Sequence, residues 1–237
     1  MSCRRHPTHR SRPRHSGKVQ CVTDCGKVYG LSLNWSNVEL LHVSGTCDLM
    51  TPAGKPIKQQ QRLVYLGSVP SADGTSGSEI SRRMGSAEGQ FDKLCRVWKH
   101  SGITAQRKLQ IVEACIMSKL LYYLHSLCLT KVETRKLDTF HVRCLRRILK
   151  IAHSLYGRIS NVNVLQAAGG AKCASMVLLE RQMLWMGKLA ARPDNNPLRQ
   201  TVRLQSGNSR FEPRTPEGRK RRGQPKLCWP TFVYKHA

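Results

Sequence analysis

The 14 carboxylates are where metal-dependent chemistry would have to start, and their spacing argues against it. Moving a phosphoryl or nucleotidyl group with two divalent ions needs several acids converging on one site. Here the acids are dispersed: Asp24, Glu39, Asp48, Asp73, Glu79, Glu88, Asp92, Glu113, Glu133, Asp138, Glu180, Asp194, Glu212 and Glu217. No two are adjacent or one residue apart, and none closes an apolar strand-like run. Cys21 and Cys25, with His6, His9 and His15 upstream, offer half of a zinc site. A closed tetrahedral site needs a second pair at finger spacing, and Cys47 stands alone. There is no glycine-rich phosphate loop and no G-x-S-x-G nucleophile elbow. No catalytic residue, metal or cofactor is expected.

The other chemistry on offer is cationic. Lys and Arg total 40, for a formal charge of +26. So large a charge repels itself in a compact state, and a polyanion is its natural counterpart. The most apolar stretch, Leu120 to Leu129, is interrupted by His125 and Ser126 and is too short to span a bilayer. No apolar run follows the basic N-terminus, so a secretory signal is not expected. DNA or RNA is the expected partner, in the nucleus or a cytoplasmic ribonucleoprotein. The 10 cysteines are scattered, and Cys95, Cys115, Cys144 and Cys173 fall at helix positions that would be buried. Free thiols in a reducing compartment follow.

The cations are most ordered between Thr130 and Ile151. At about 100° per residue, Leu137, Phe140, Cys144, Leu145 and Ile148 share one helix face. Arg143, Arg146, Arg147 and Lys150 fall opposite, with Arg135 and Lys136 near the edges, while His141 and Cys144 read as packing residues. Only Glu133 and Asp138 lie near on the same helix, so the spacing predicts an unpaired ridge suited to phosphates. A second basic run, Arg219, Lys220, Arg221 and Arg222, lies near the end of the chain.

The elements that must position these residues form a mainly α chain with a small partial sheet and disordered basic tails. Residues 1–27 read as an unpacked basic arm. Residues 28–78 hold the sheet: Leu31 and Leu33, then Val38, Leu40 and Leu41, look like strands around a turn at Asn34–Asn37. Arg62–Ser68 looks like a further strand ending at a glycine. Residues 79–152 read as three helices. Ile80, Met84, Ala87, Phe91, Leu94 and Trp98 recur at steps of three and four, with Ser78 as cap. Thr104 caps the second helix, whose late part, Leu120 to Leu127, is apolar nearly all round. The third runs from about Thr130 to Ile151. Residues 153–192 hold a short segment ending at Gly169-Gly170, then a helix from Ala174 to Ala190 with Val177, Leu178, Leu184, Trp185 and Leu189. Residues 193–237 read as a basic Pro/Gly-containing tail.

Read in order, several segments resemble the carboxy-terminal part of reverse transcriptases from LINE-type, non-LTR retrotransposons. Gly30-Leu-Ser-Leu-Asn34 resembles a segment just after the family's catalytic palm strands. Tyr65-Leu66-Gly67-Ser68 resembles its primer grip. Glu79-Ile-Ser-Arg-Arg83 with Phe91, Leu94 and Trp98, Lys119-Leu-Leu-Tyr122, and Leu145-Arg-Arg-Ile-Leu149 resemble three thumb helices. Ile159-Ser-Asn161, Arg181-Gln182 to Trp185-Met-Gly187, and Arg222-Gly-Gln-Pro-Lys226 with Trp229 resemble the downstream connector. The likeness covers about residues 25–230. It implies a partial palm with a primer grip at Tyr65, Leu66 and Gly67, a thumb-like bundle and connector helices. It also implies binding of a primer–template duplex, without sequence preference. The family's aromatic-x-Asp-Asp turn has no counterpart, since no Asp-Asp occurs in the chain, and the Lys usual three residues after the Asn is replaced by Asn37. The resemblance therefore implies a piece without the polymerase core, inactive alone. The competing readings are an active polymerase or nuclease, which the missing acids oppose, and a basic nuclear nucleic-acid-binding protein unrelated to retroelements.

Overall fold

The computed structural model describes residues 14–42, 48–72, 75–202 and 228–236. The chain divides into two compact units, Met1–Thr75 and Ser76–Ala237. Segments 79–152 and 153–192 share one unit.

The first unit opens with a helix, α1 (Arg14–Val28), where the composition predicts an unpacked arm. Val22 and Val28 stay exposed on it. Local side-chain pairs support it: Gln20 donates to Asp24 at 3.2 Å, and Lys27 lies 3.7 Å from the same carboxylate. Asn34 accepts from the Ser36 backbone N–H and turns the chain through Trp35–Asn37, as expected. Strand β1 (Glu39–Leu41) follows and pairs in parallel with β2 (Lys58–Gln60), Leu40 opposite Gln59. Leu31 and Leu33 lie outside any strand. Parallel pairing over so few residues is weak by itself, and side chains reinforce it: Gln60 donates to Glu39 at 2.8 Å.

The second unit is helical. Helix α2 (Gly77–Lys93) carries the predicted stripe, with Ile80, Ala87 and Phe91 buried. It begins one residue before Ser78, whose hydroxyl is buried without a partner among the described residues instead of capping. Glu79 is 1% exposed and its carboxylate is held by Arg83 at 2.6 Å. At Leu94 the helix stops, and the short α3 (Cys95–Lys99) is offset from it. The stripe nevertheless runs through the break. Trp98 stacks on Phe91 at 5.0 Å, and its indole N–H donates to the Phe91 carbonyl at 2.7 Å. Lys108, also buried, donates to the carbonyls of Trp98 and His100, both at 2.8 Å, and so closes the end of α3.

Thr104 caps the next helix as predicted, accepting from the Arg107 N–H. The helical path runs through α4 (Ala105–Ile111), widens to π geometry over Val112–Met117, and ends with α5 (Ser118–Leu120). The apolar run beyond Leu120 does not continue the helix. Tyr123 takes a left-handed conformation (φ 68°), and Leu121 and Leu124 reach the core from a tight turn. Helix α6 (Lys131–Leu149) starts at a capping box: Thr130 accepts from the Glu133 N–H while Glu133 accepts from the Thr130 N–H. It ends at Lys150 in the left-handed region. After α7 (Ser154–Gly157) and α8 (Asn161–Ala167), Gly169 and Gly170 turn the chain at positive φ, where a Cβ would be strained. Helix α9 (Ala174–Ala190) then packs on α6, with the Ser175 N–H bonded to Asp138 at 2.8 Å.

The expected terminal tail is partly structured. Helices α10 (Pro197–Val202) and α11 (Trp229–Tyr234) pack on α9 in an apolar cluster of Met186, Leu189, Val202 and Val233. Residues 203–227 lie outside the described residues. The main core joins α2, the π segment, α6 and α9 through Phe91, Ile116, Leu120, Leu137, Phe140 and Leu178. Cys144 sits in it with its thiol pushed up to about 12 by burial, a structural and unreactive state. Cys95, by contrast, is exposed.

His141 is 3% exposed, and burial pushes its pKa below 6.5, with Asp138 pulling weakly the other way. A depressed folded-state pKa means the unfolded chain takes up the proton first. Stability from this residue is complete above pH 6.5 and is lost as pH falls toward the lower folded value. Thermal unfolding should therefore shift down between neutral pH and about pH 5. That shift should shrink in His141→Leu, and equal shifts in the two proteins would show that His141 is not the sensitive group.

Candidate nucleic-acid interface

The predicted ridge on α6 is divided into three by its surroundings. Arg143 and Arg147 do turn outward, but they do not stand alone. Glu88 and Asp92, four apart on α2, face them in register: Arg143 donates to Glu88 at 2.8 Å, and Arg147 to Asp92 at 3.3 Å. Arg147 also lies over the Phe91 ring at 4.6 Å, and Arg143 over Phe140 at 5.4 Å. Both pairs are about half exposed, so they are worth roughly 0–1 kcal/mol each.

Arg146 is not on the surface. It is 7% exposed and its guanidinium is used inside the unit, donating to the carbonyls of Ala152 at 2.8 Å and Ile159 at 2.6 Å and to the Asn161 side chain at 3.2 Å. These bonds tie the chain after α6 back onto the helix. The prediction of four outward, unpaired cations fails here. A helix wheel sees only its own helix; Glu88 and Asp92 came from α2 and the carbonyls from the connection to α8.

Arg135, Lys136 and Lys150 are as expected: exposed, with no ion pair among the described residues. Lys131 joins them at the start of α6. The run Arg219, Lys220, Arg221 and Arg222 lies outside the described residues.

Tyr65, Leu66 and Gly67 do not end a strand. Tyr65 and Ser68 exchange backbone hydrogen bonds, each 2.9 Å, around a two-residue turn with Leu66 at φ 47° and Gly67 at φ 76°. Two positive φ values in succession suit a tight hairpin. Arg62 pairs with Ser71 below it, and Tyr65 and Leu66 are 62% and 80% exposed at the tip. Apolar residues flank Gly67 on the N-terminal side, where Asn or Asp would have signalled a turn.

The remaining charge balance is lopsided. Residues 76–202 and 228–236 contain 22 Lys and Arg against 8 Asp and Glu. Of those acids, every one but Glu113 is engaged locally. Glu79, Glu88, Asp92, Glu180 and Asp194 ion-pair, Glu133 closes the capping box, and Asp138 caps α9. Exposed cations without an ion pair among the described residues include Lys93, Arg96 and Lys99 near the α2–α3 break, Arg158 before α8, and Lys188 and Arg192 at the end of α9. Among the described residues, no three His, Cys, Asp or Glu side chains come together as metal ligands, and no helix is long and apolar enough to cross a membrane.

The chain matches no protein-family model, no curated protein and no solved structure.

Proposed function

We propose that this chain binds nucleic acid, as duplex or RNA, through sequence-independent phosphate contacts made by the helical unit, without a catalytic step of its own. What supports the reading is that all but one of the acids in residues 76–202 and 228–236 are engaged by local structure, while many exposed cations have no ion pair among the described residues. Lys131, Arg135 and Lys136 on α6 and Lys150 at its C-terminal cap are exposed, with no ion pair among the described residues. Cations held on a packed helix lose little entropy on meeting phosphate, and each contact releases condensed counterions. The order of motifs resembling the thumb and connector of a non-LTR reverse transcriptase is a further support, and on that reading the helical unit would grip a primer–template duplex.

The expected result is measured by fluorescence anisotropy with a short labelled duplex. Affinity should fall steeply between about 50 and about 200 mM salt and should be nearly the same for duplexes of unrelated sequence. No binding at the lower salt, or binding that salt leaves unchanged, would remove the proposal.

A further inference from the structure

The turn after α5 and the outer face of α9 enclose a cleft of about 480 Å³. Four of the side chains that matter are rings: Tyr122, Tyr123, His125 and Trp185. Two are cations, Arg181 and Lys188, and no Asp or Glu lines the cleft. The left-handed conformation at Tyr123 aims this turn, and Tyr122 is 53% exposed although aromatic. Arg83 lies 4.5 Å from the centre of the Tyr122 ring and holds it by a cation–π contact. On the facing wall, Arg181, Leu184, Trp185 and Lys188 follow at i, i+3, i+4 and i+7, a single face of α9. Leu184 on that face is 67% exposed, whereas Gln182, Met186 and Leu189 pack inward. His125 meets Trp185 edge-on at 5.7 Å. Burial and Arg181 lower the His125 pKa, so its ring is neutral at neutral pH and offers one donor and one acceptor.

We infer that this cleft takes an unpaired nucleotide of a single strand, its base against the Tyr122 and Trp185 rings and its phosphate on Arg181 and Lys188. The inference rests on the nucleic-acid reading above and adds to it a site for unstacked bases. Flat rings beside cations that have no ion pair among the described residues fit a base and its phosphate together. An acidic peptide would satisfy the cations and leave the rings unused.

The test compares a blunt duplex with the same duplex carrying a single-stranded overhang of a few nucleotides, using the whole chain. The overhang should raise affinity roughly tenfold. Leu184→Glu, which places a carboxylate in the cleft at an exposed position, and Tyr122→Ala should each remove most of that gain and leave blunt-duplex binding unchanged; Tyr122→Phe should keep it. No gain from the overhang while the blunt duplex binds would overturn the cleft assignment alone. So would a gain that survives both Leu184→Glu and Tyr122→Ala. If poly-glutamate competes with the overhang as well as a free single strand does, the cleft is an acidic-peptide site and the inference is wrong. Absent binding of either nucleic acid would sink the broader reading instead.

Discussion

Leu145→Asp should abolish the cooperative unfolding of the helical unit, leaving a chain without a sharp thermal transition by circular dichroism. Leu145 is 2% exposed and packs with Val142, Val164 and Ala168, the cluster that joins α6 to α8. Truncating a buried leucine costs about 2–5 kcal/mol from lost transfer energy and the cavity left behind. The aspartate adds a buried charge with no partner built for it, costing several kcal/mol more or forcing proton uptake. Against a usual domain stability of about 5–15 kcal/mol, the sum is enough to unfold it. Leu184→Glu supplies the contrast. Leu184 is one of the apolar residues of α9, yet it is 67% exposed. Its substitution should move stability by no more than about 0.5 kcal/mol. If both variants unfold, the exposed face of α9 has been misplaced.

The second large effect separates three arginines that look alike in the sequence. Arg146→Ala should cost about 2–3 kcal/mol by urea denaturation, because charged hydrogen bonds to two carbonyls and an amide oxygen are lost together. Arg143→Ala and Arg147→Ala should each cost less than about 1 kcal/mol, since their carboxylate partners are half exposed and regain water. A triple charge reversal at these positions would therefore confound fold with binding, whereas the single variants do not. Equal losses from all three would contradict the buried placement of Arg146.

These contrasts mark where the sequence was readable. The stripe from Ile80 to Trp98, the Thr130–Glu133 box and the limits of α6 and α9 are set within a few turns of chain, by spacing and caps that a single segment carries. Three features escaped it, two of them because they depend on partners distant in sequence. Glu88 and Asp92 neutralise part of α6 from another helix, although their spacing of four, matched to Arg143 and Arg147, was the available clue. The bend at Leu121–Ser126 is made by a left-handed Tyr123, for which an apolar run gives no warning. The parallel pairing of β1 with β2 joins segments separated by a loop, and only Val38–Leu41 carried strand character. Of the candidate site, Arg135, Lys136 and Lys150 were legible as exposed cations. The aromatic cleft was not, because its rings come from a turn and its cations from α9.

The claim on which the rest depends is that exposed cations of α6 meet phosphate. The most direct measurement is the slope of log affinity against log salt for duplex binding, taken for the parent and for the combined variant Arg135→Gln, Lys136→Gln, Lys150→Gln. Each lost phosphate contact should make the slope shallower by about 0.9, so the variant should bind more weakly and depend less on salt while unfolding as the parent does. A variant with the parent's affinity and slope would contradict the account.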